Sequence, residues 1–189
     1  MKERMDAKMA PYNRHIPVIY IVGASGAGKT TLIEKLIPEL TKRGYRVGTI
    51  KHDVHGFQLD RQGKDSWRHK EAGASVTVIS SSSQIGMVKD VDHDSSVEEL
   101  MSLFADVDLI LTEGYKRVKR PKLEVFRPEI QEEPLCKGDQ YLVALVTDEQ
   151  LEMDIPRFGT DRVEELADFV LKRFNLLPDT GDRSREAVS

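Results

Sequence analysis

Apolar positions along this chain fall into two patterns: short continuous runs, and stretches that repeat every three or four residues. Val18–Val22 is a continuous run, the pattern of a strand buried on both faces. After it, Leu32, Ile33, Leu36, Ile37 and Leu40 share one face of a helix that starts near Lys29. Pro38 falls inside that pattern, so the spacing predicts a kink or an early end. Lys42 and Arg43, followed by Gly44, form a helix ending. A second strand is predicted over Val47–Lys51, and a helix over about Lys64–Ala72 that stops at Gly73. Val76–Ser80 and Ile85–Val88 read as two strands joined through the polar turn Ser80–Ser83.

The same alternation continues to the end of the chain. Ser95 or Ser96, each with a glutamate three residues on (Glu98, Glu99), caps a helix to about Phe104. Strands follow over Asp108–Thr112, Leu123–Phe126 and Leu142–Thr147. Val163, Leu166, Ala167, Val170, Leu171 and Phe174 then mark a helix capped by Thr160 or Asp161. Strands alternating with helices predict an α/β domain with a largely parallel sheet. The domain is expected over residues 16–176, between loose polar tails at 1–15 and 177–189.

Composition adds exclusions. The 189 residues include 28 basic and 32 acidic side chains, a net charge of −4, so neither a nucleic-acid nor a membrane partner is expected. A single cysteine, Cys136, excludes an intrachain disulfide and a Cys-rich metal site. Residues 1–10 are charged with no apolar signal core, and no apolar run approaches the roughly 18 residues that span a bilayer. The expected location is the cytoplasm.

The strongest chemical signal is Gly23-Ala-Ser-Gly-Ala-Gly-Lys-Thr30, a full Gly-x-x-x-x-Gly-Lys-(Ser/Thr) phosphate loop between the first strand and the first helix. Its glycines let successive backbone N–H groups point at a phosphate, and the helix that follows offers a partial positive charge. Gly23, Ala24, Ser25, Gly26, Ala27, Gly28, Lys29, Thr30 and Thr31 are therefore the candidate nucleotide residues. Lys29 suits the β- and γ-phosphates, and the Thr30 hydroxyl suits Mg²⁺. Three or four charged hydrogen bonds of roughly 1.5–3 kcal/mol, less the cost of association, give micromolar affinity, about −8 kcal/mol.

Such a site needs a carboxylate at a neighbouring strand end to hold the metal. The strand ending in Thr112-Glu-Gly114 offers Glu113, and the one running into His52-Asp-Val-His55 offers Asp53. Asp108, at the strand's start, is expected to be structural. His52 and His55 also invite a transition-metal reading, against which a solvated loop stands as the simpler account. Lys116, Arg117, Lys119 and Arg120 follow closely and form either a solvated turn or an attractor for an anionic substrate. Asp60–His69, with the only tryptophan, is read as surface or as a recognition segment.

Taken in order, several segments resemble the MobB family of molybdopterin-guanine dinucleotide biosynthesis adapter proteins. They are Gly23–Leu32, Thr49-Ile-Lys-His-Asp53, Gly63-Lys-Asp-Ser-Trp-Arg-His69, Ala72-Gly-Ala74 and Leu111-Thr-Glu-Gly-Tyr-Lys116. The resemblance spans about Ile16 to Phe174 and implies a three-layer P-loop NTPase fold, a homodimer, and binding of GTP and Mg²⁺ with weak hydrolysis. It also implies work on molybdopterin with a MobA-type guanylyltransferase. The usual guanine-reading Asn/Thr-Lys-x-Asp motif is reduced here to Thr147-Asp148, which leaves Asp148 to accept from guanine. The phosphate loop also lacks the extra lysine of MinD-like ATPases. Two other readings stay open: a P-loop small-molecule kinase with Lys116–Arg120 as a short lid, and a nickel-insertion GTPase using His52 and His55. No catalytic base is legible.

Overall fold

The computed structural model describes residues 16–176; the tails expected at 1–15 and 177–189 lie outside them. In chain order the elements are β1 (Val18–Val22), α1 (Lys29–Lys42), β2 (Val47–Lys51), α2 (Asp65–Glu71), β3 (Val76–Ser80) and β4 (Ile85–Lys89). They continue with α3 (Val97–Leu100) and a 3₁₀ turn (Met101–Leu103), then β5 (Leu109–Glu113), β6 (Lys122–Val125), β7 (Leu142–Val146), β8 (Arg157–Phe158) and α4 (Val163–Arg173). The sequence suggests one domain over 16–176. Within it, packing separates a unit of residues 53–103 from a unit of residues 16–52 and 104–176.

The larger unit is a six-stranded sheet in the order β2-β5-β1-β6-β7-β8, parallel at every pairing. Strands β1, β5 and β7 are the continuous apolar runs, and they occupy interior positions where both faces are covered. α1 and α4 pack together on one face, with Leu32, Leu36, Leu40, Leu166, Ala167 and Val170 in a core shared with Ile19, Ile21, Leu109 and Leu111. This is the α/β P-loop NTPase fold that the sequence predicts.

Local details differ from the sequence pattern, each for a physical reason. Of the two outcomes expected at Pro38, the early end does not occur: α1 runs on to Lys42, where the Lys42-Arg43-Gly44 ending predicts its stop. An interior proline costs about 3 kcal/mol, whereas Leu36 and Leu40 are both fully buried and each contributes roughly 1.5–3 kcal/mol. Neither Thr160 nor Asp161 caps α4; Arg162 stands at that position without a side-chain cap. Thr160 is held by Asp148 instead, and Asp161 by Lys35 at 2.7 Å. The two-residue β8 is too short to leave a hydropathy signature in the sequence.

In the unit of residues 53–103, β3 and β4 form an antiparallel ribbon, from Val76 opposite Lys89 to Ser80 opposite Ile85. Ser81 closes its turn, accepting from Ser83 N at 3.3 Å and Gln84 N at 3.1 Å. Of the two candidate caps for α3, Ser96 serves, in a reciprocal box with Glu99. Among the described residues no helix is long and apolar enough to cross a membrane.

Candidate nucleotide site

All strands of the main sheet run the same way, so the loops after β1, β5, β6 and β7 emerge along one edge, where α/β proteins bind their ligands. Gly23 leaves β1 at φ 142°, and a Cβ there would lie 2.4 Å from the Val125 carbonyl oxygen. Only glycine fits so close to β6. Gly26 and Gly28 also take positive φ, 79° and 98°. Gly28 occupies the N-cap of α1 with no side chain to bond the first amides, and the first turn carries no acidic residue. The helix start is left without a capping side chain of its own, an arrangement whose first amides suit an anion.

Lys29 folds back over this loop and donates to the Ala24 carbonyl at 2.8 Å. Desolvation holds its pKa below the ordinary lysine value, with Lys116 and Lys51 adding to the effect and Glu113 opposing it. A partly desolvated ammonium among other cations is short of negative charge, as a phosphate-binding lysine should be before its ligand arrives.

Thr30 meets the predicted carboxylate. Its hydroxyl donates to Glu113, with Oε1 at 3.1 Å and Oε2 at 3.0 Å. The sheet brings these residues together: Ile21 of β1 is in register with Glu113 of β5. Glu113 is pinned on both sides, its carbonyl accepting from His52 N at 2.9 Å while Gly114 N donates to Ile21 at 3.1 Å. Gly114 adopts φ 110°, and a Cβ there would crowd the His52 Cβ at 3.0 Å. Beyond it, the Tyr115 ring stacks on His52 with centroids 4.3 Å apart. His52 is thus part of the wall under the Glu113 turn.

Gly23 to Thr31 and Glu113 therefore converge, while the other candidates stand differently. Asp53 belongs to the unit of residues 53–103, where its Oδ1 accepts from His55 N at 2.9 Å and closes a turn. Among the described residues no three His, Cys, Asp or Glu side chains gather as metal ligands, so His52 and His55 gain no third donor. Asp108 is structural as expected: it is buried and accepts from Arg46 N at 2.8 Å. Asp148 follows β7 and grips Thr160, accepting from its N–H at 2.8 Å and its hydroxyl at 2.6 Å. Those bonds hold its carboxyl below the usual aspartate range, with Arg127 and Lys35 contributing.

Two features of the site escaped the sequence. Arg127, just past β6, donates from Nε to the Ala27 carbonyl at 3.1 Å, and its guanidinium lies 3.5 Å from where a Gly28 Cβ would be. It braces the phosphate loop from the side opposite Glu113. The signal was its place: the carboxyl end of the strand pairing with β1. Glu124, fully buried in β6, accepts from Leu135 N at 2.6 Å, Cys136 N at 2.8 Å and Gln131 Nε2 at 3.2 Å, tying down the loop that follows Arg127.

Residues 18–148, from the start of β1 to Asp148, match the family model of molybdopterin guanine dinucleotide synthesis protein B, MobB. This chain belongs to the MobB family. It is 41% identical over 160 residues to the molybdopterin-guanine dinucleotide biosynthesis adapter protein of Haemophilus influenzae, covering 84% of this chain and 89% of that one. The adapter protein of Escherichia coli is 35% identical over 162 residues, covering 83% and 93%. A crystal structure of molybdopterin-guanine biosynthesis protein B superimposes with a TM-score of 0.66 at 28% identity, over 82% of this chain and 99% of that one. Bacillus subtilis MobB, at 24% identity and a TM-score of 0.67, supports the fold.

Proposed function

We propose that this MobB-family protein is a GTP-binding adapter in molybdopterin guanine dinucleotide biosynthesis. It holds GTP and Mg²⁺ and assists a MobA-type guanylyltransferase that joins the guanylyl group to molybdopterin. The observation that carries the nucleotide assignment is the Thr30–Glu113 contact, 3.0 and 3.1 Å, beside a complete phosphate loop. A hydroxyl and a carboxylate are the hard oxygen donors that Mg²⁺ requires, so the residues present fit the ion. Thr30 and Glu113 would hold it, and when bound it supplies charge neutralisation to the phosphates. The amides from Gly23 to Thr31 and the Lys29 ammonium orient the triphosphate. Asp148 keeps acceptor capacity beyond its Thr160 bonds, because each carboxylate oxygen has two lone pairs, and it serves as the acceptor toward guanine. Glu113 is bonded to Thr30 through both oxygens, the posture of a metal holder rather than of a base. Hydrolysis is therefore weak, and the protein acts by presenting nucleotide in the cytoplasm.

The homodimer is part of the same proposal. Val76, Val78, Ile85 and Met87 are exposed on one face of the β3–β4 ribbon. A two-stranded ribbon is marginal alone, and contiguous apolar exposure marks an interface; a second copy of the chain covers it.

The test combines the protein with a MobA-type guanylyltransferase, molybdopterin and γ-labelled GTP. Dinucleotide formation should rise with added protein and should not rise with Lys29→Ala. Guanylyl transfer releases the label as pyrophosphate, whereas the protein with labelled GTP alone should release it only slowly, as inorganic phosphate. Transfer of label to a small acceptor would instead support the kinase reading, and no rise in dinucleotide would contradict the adapter role.

A further inference from the structure

The loop that leaves Glu113 does more than turn the chain. Lys116, Arg117, Val118 and Lys119 form one wall of a cavity of about 420 Å³, and Gly138 to Tyr141 form the other. Lys122, at the start of β6, lines it as well and is only 1% exposed. A volume of this size falls within the roughly 300–1,000 Å³ range of small-molecule sites.

The charge balance of this cavity is unusual for a chain of net charge −4. Its lining holds four cationic side chains and one carboxylate, Asp139. Asp139 is already committed: Oδ2 accepts from the Lys122 ammonium at 2.8 Å and Oδ1 from Tyr141 N at 2.9 Å. The Lys122 bond is also the main reason its carboxyl lies below the usual aspartate range, so it stays ionised beside Lys122. Lys116, Arg117 and Lys119 have no carboxylate partner among the described residues. Three like charges on one short loop repel each other unless an anion joins them. The floor is fixed by its own hydrogen bonds. Gly138 makes the turn at φ 80°, Asp139 N donates to Cys136 at 2.9 Å, and Lys122 also donates to the Lys116 carbonyl at 3.4 Å. The wall includes an aromatic face as well, the half-buried Tyr141 ring, whose centroid lies 6.0 Å from the Lys122 ammonium.

We propose that this cavity binds the phosphate of a second ligand, a heteroaromatic phosphate ester of the pterin class. The Lys116–Lys119 rim takes the phosphate and Tyr141 flanks the ring. The proposal rests on the adapter function above. A guanylyl group can join a pterin as a dinucleotide only through the pterin's own phosphate, which must be brought near the nucleotide. The cavity is placed for that: its rim begins three residues after Glu113, and Lys116 lies close enough to Lys29 to influence its protonation.

The experiment titrates the full chain with neopterin monophosphate, read by pterin fluorescence, and in parallel with Mg·GTP, neopterin and inorganic phosphate. Wild type should bind neopterin monophosphate saturably and more tightly than either neopterin or inorganic phosphate. The double variant Arg117→Ser/Lys119→Ser should weaken it at least tenfold while Mg·GTP affinity stays within about twofold. Tyr141→Leu should bring neopterin monophosphate down towards inorganic phosphate. Unchanged affinity in the double variant, or neopterin binding as well as its phosphate, overturns the proposal. Loss of pterin binding with intact Mg·GTP binding in wild type overturns the cavity alone. Loss of Mg·GTP binding with intact pterin phosphate binding leaves the cavity standing and removes the nucleotide assignment.

Discussion

Replacing Gly23 with alanine puts a methyl group 2.4 Å from the Val125 carbonyl oxygen, in backbone that already requires φ 142°. Neither problem relaxes easily. Val125 is the last residue of β6, and the neighbouring Glu124 is in register with Val22, so retreat of that carbonyl disturbs the β1–β6 pairing. Strained backbone costs about 1–3 kcal/mol and forced overpacking a further 1–3, giving an expected loss of about 2–6 kcal/mol. Gly44→Ala is the control: φ is 88° there too, but nothing lies within 4 Å of the added carbon. It should cost only the left-handed backbone penalty, about 1–2 kcal/mol. Urea denaturation followed by circular dichroism gives both losses, and calorimetry gives nucleotide affinity. Gly23→Ala should be the more destabilised by at least about 1 kcal/mol, the smallest gap that the strain and overpacking figures allow once the control's penalty is common to both. It alone should lose GTP affinity. Equal losses, or a Gly23→Ala protein that binds nucleotide normally, would refute the account of how β6 shapes the loop.

The remaining predictions concern the two sides of that loop. Glu113→Gln should raise the Mg²⁺ concentration needed for nucleotide binding at least tenfold. Asp108→Asn, which removes the charge and one of the two oxygens that accept from the Arg46 guanidinium, should lower stability and leave the Mg²⁺ dependence alone. If the two exchange ranks in a Mg²⁺ titration, the metal is held at the other end of β5. Arg127→Ala removes the brace on the Ala27 carbonyl and should weaken GTP by threefold to tenfold, with Arg127→Lys recovering part of the loss; equal affinities by calorimetry would show that Arg127 does not shape the loop.

What was legible from the sequence follows physical lines. β1, β5 and β7 could be read because interior parallel strands bury both faces and leave continuous apolar runs. The phosphate loop could be read because its spacing is a backbone requirement, and Glu113 because a strand's carboxyl end fixes where a following acid falls. β6 was harder. Lys122-Leu-Glu-Val125 alternates like a half-exposed strand, yet all four residues are buried, because Asp139 neutralises Lys122 and backbone amides satisfy Glu124. Those partners lie 17 and 12 residues away, beyond any local pattern. Asp148 was placed correctly at the end of β7, but its grip on Thr160, which also displaced the expected cap of α4, depends on a β7–β8 pairing that sequence does not encode locally.

The central claim, that Mg·GTP occupies the loop from Gly23 to Thr31, is tested most directly by the thermal midpoint of the protein with and without nucleotide. A ligand at a hundred times its Kd that binds only the folded state adds about 2.7 kcal/mol. At roughly 2–4 °C per kcal/mol for a chain of this size, GTP with Mg²⁺ should raise the midpoint by about 5–11 °C. ATP should raise it less, because the triphosphate contacts are shared and the proposed guanine acceptor, Asp148, would not serve adenine. Lys29→Ala should lose most of the rise while melting near the wild-type temperature without ligand. A wild-type midpoint that millimolar Mg·GTP leaves unmoved would contradict the assignment of this loop.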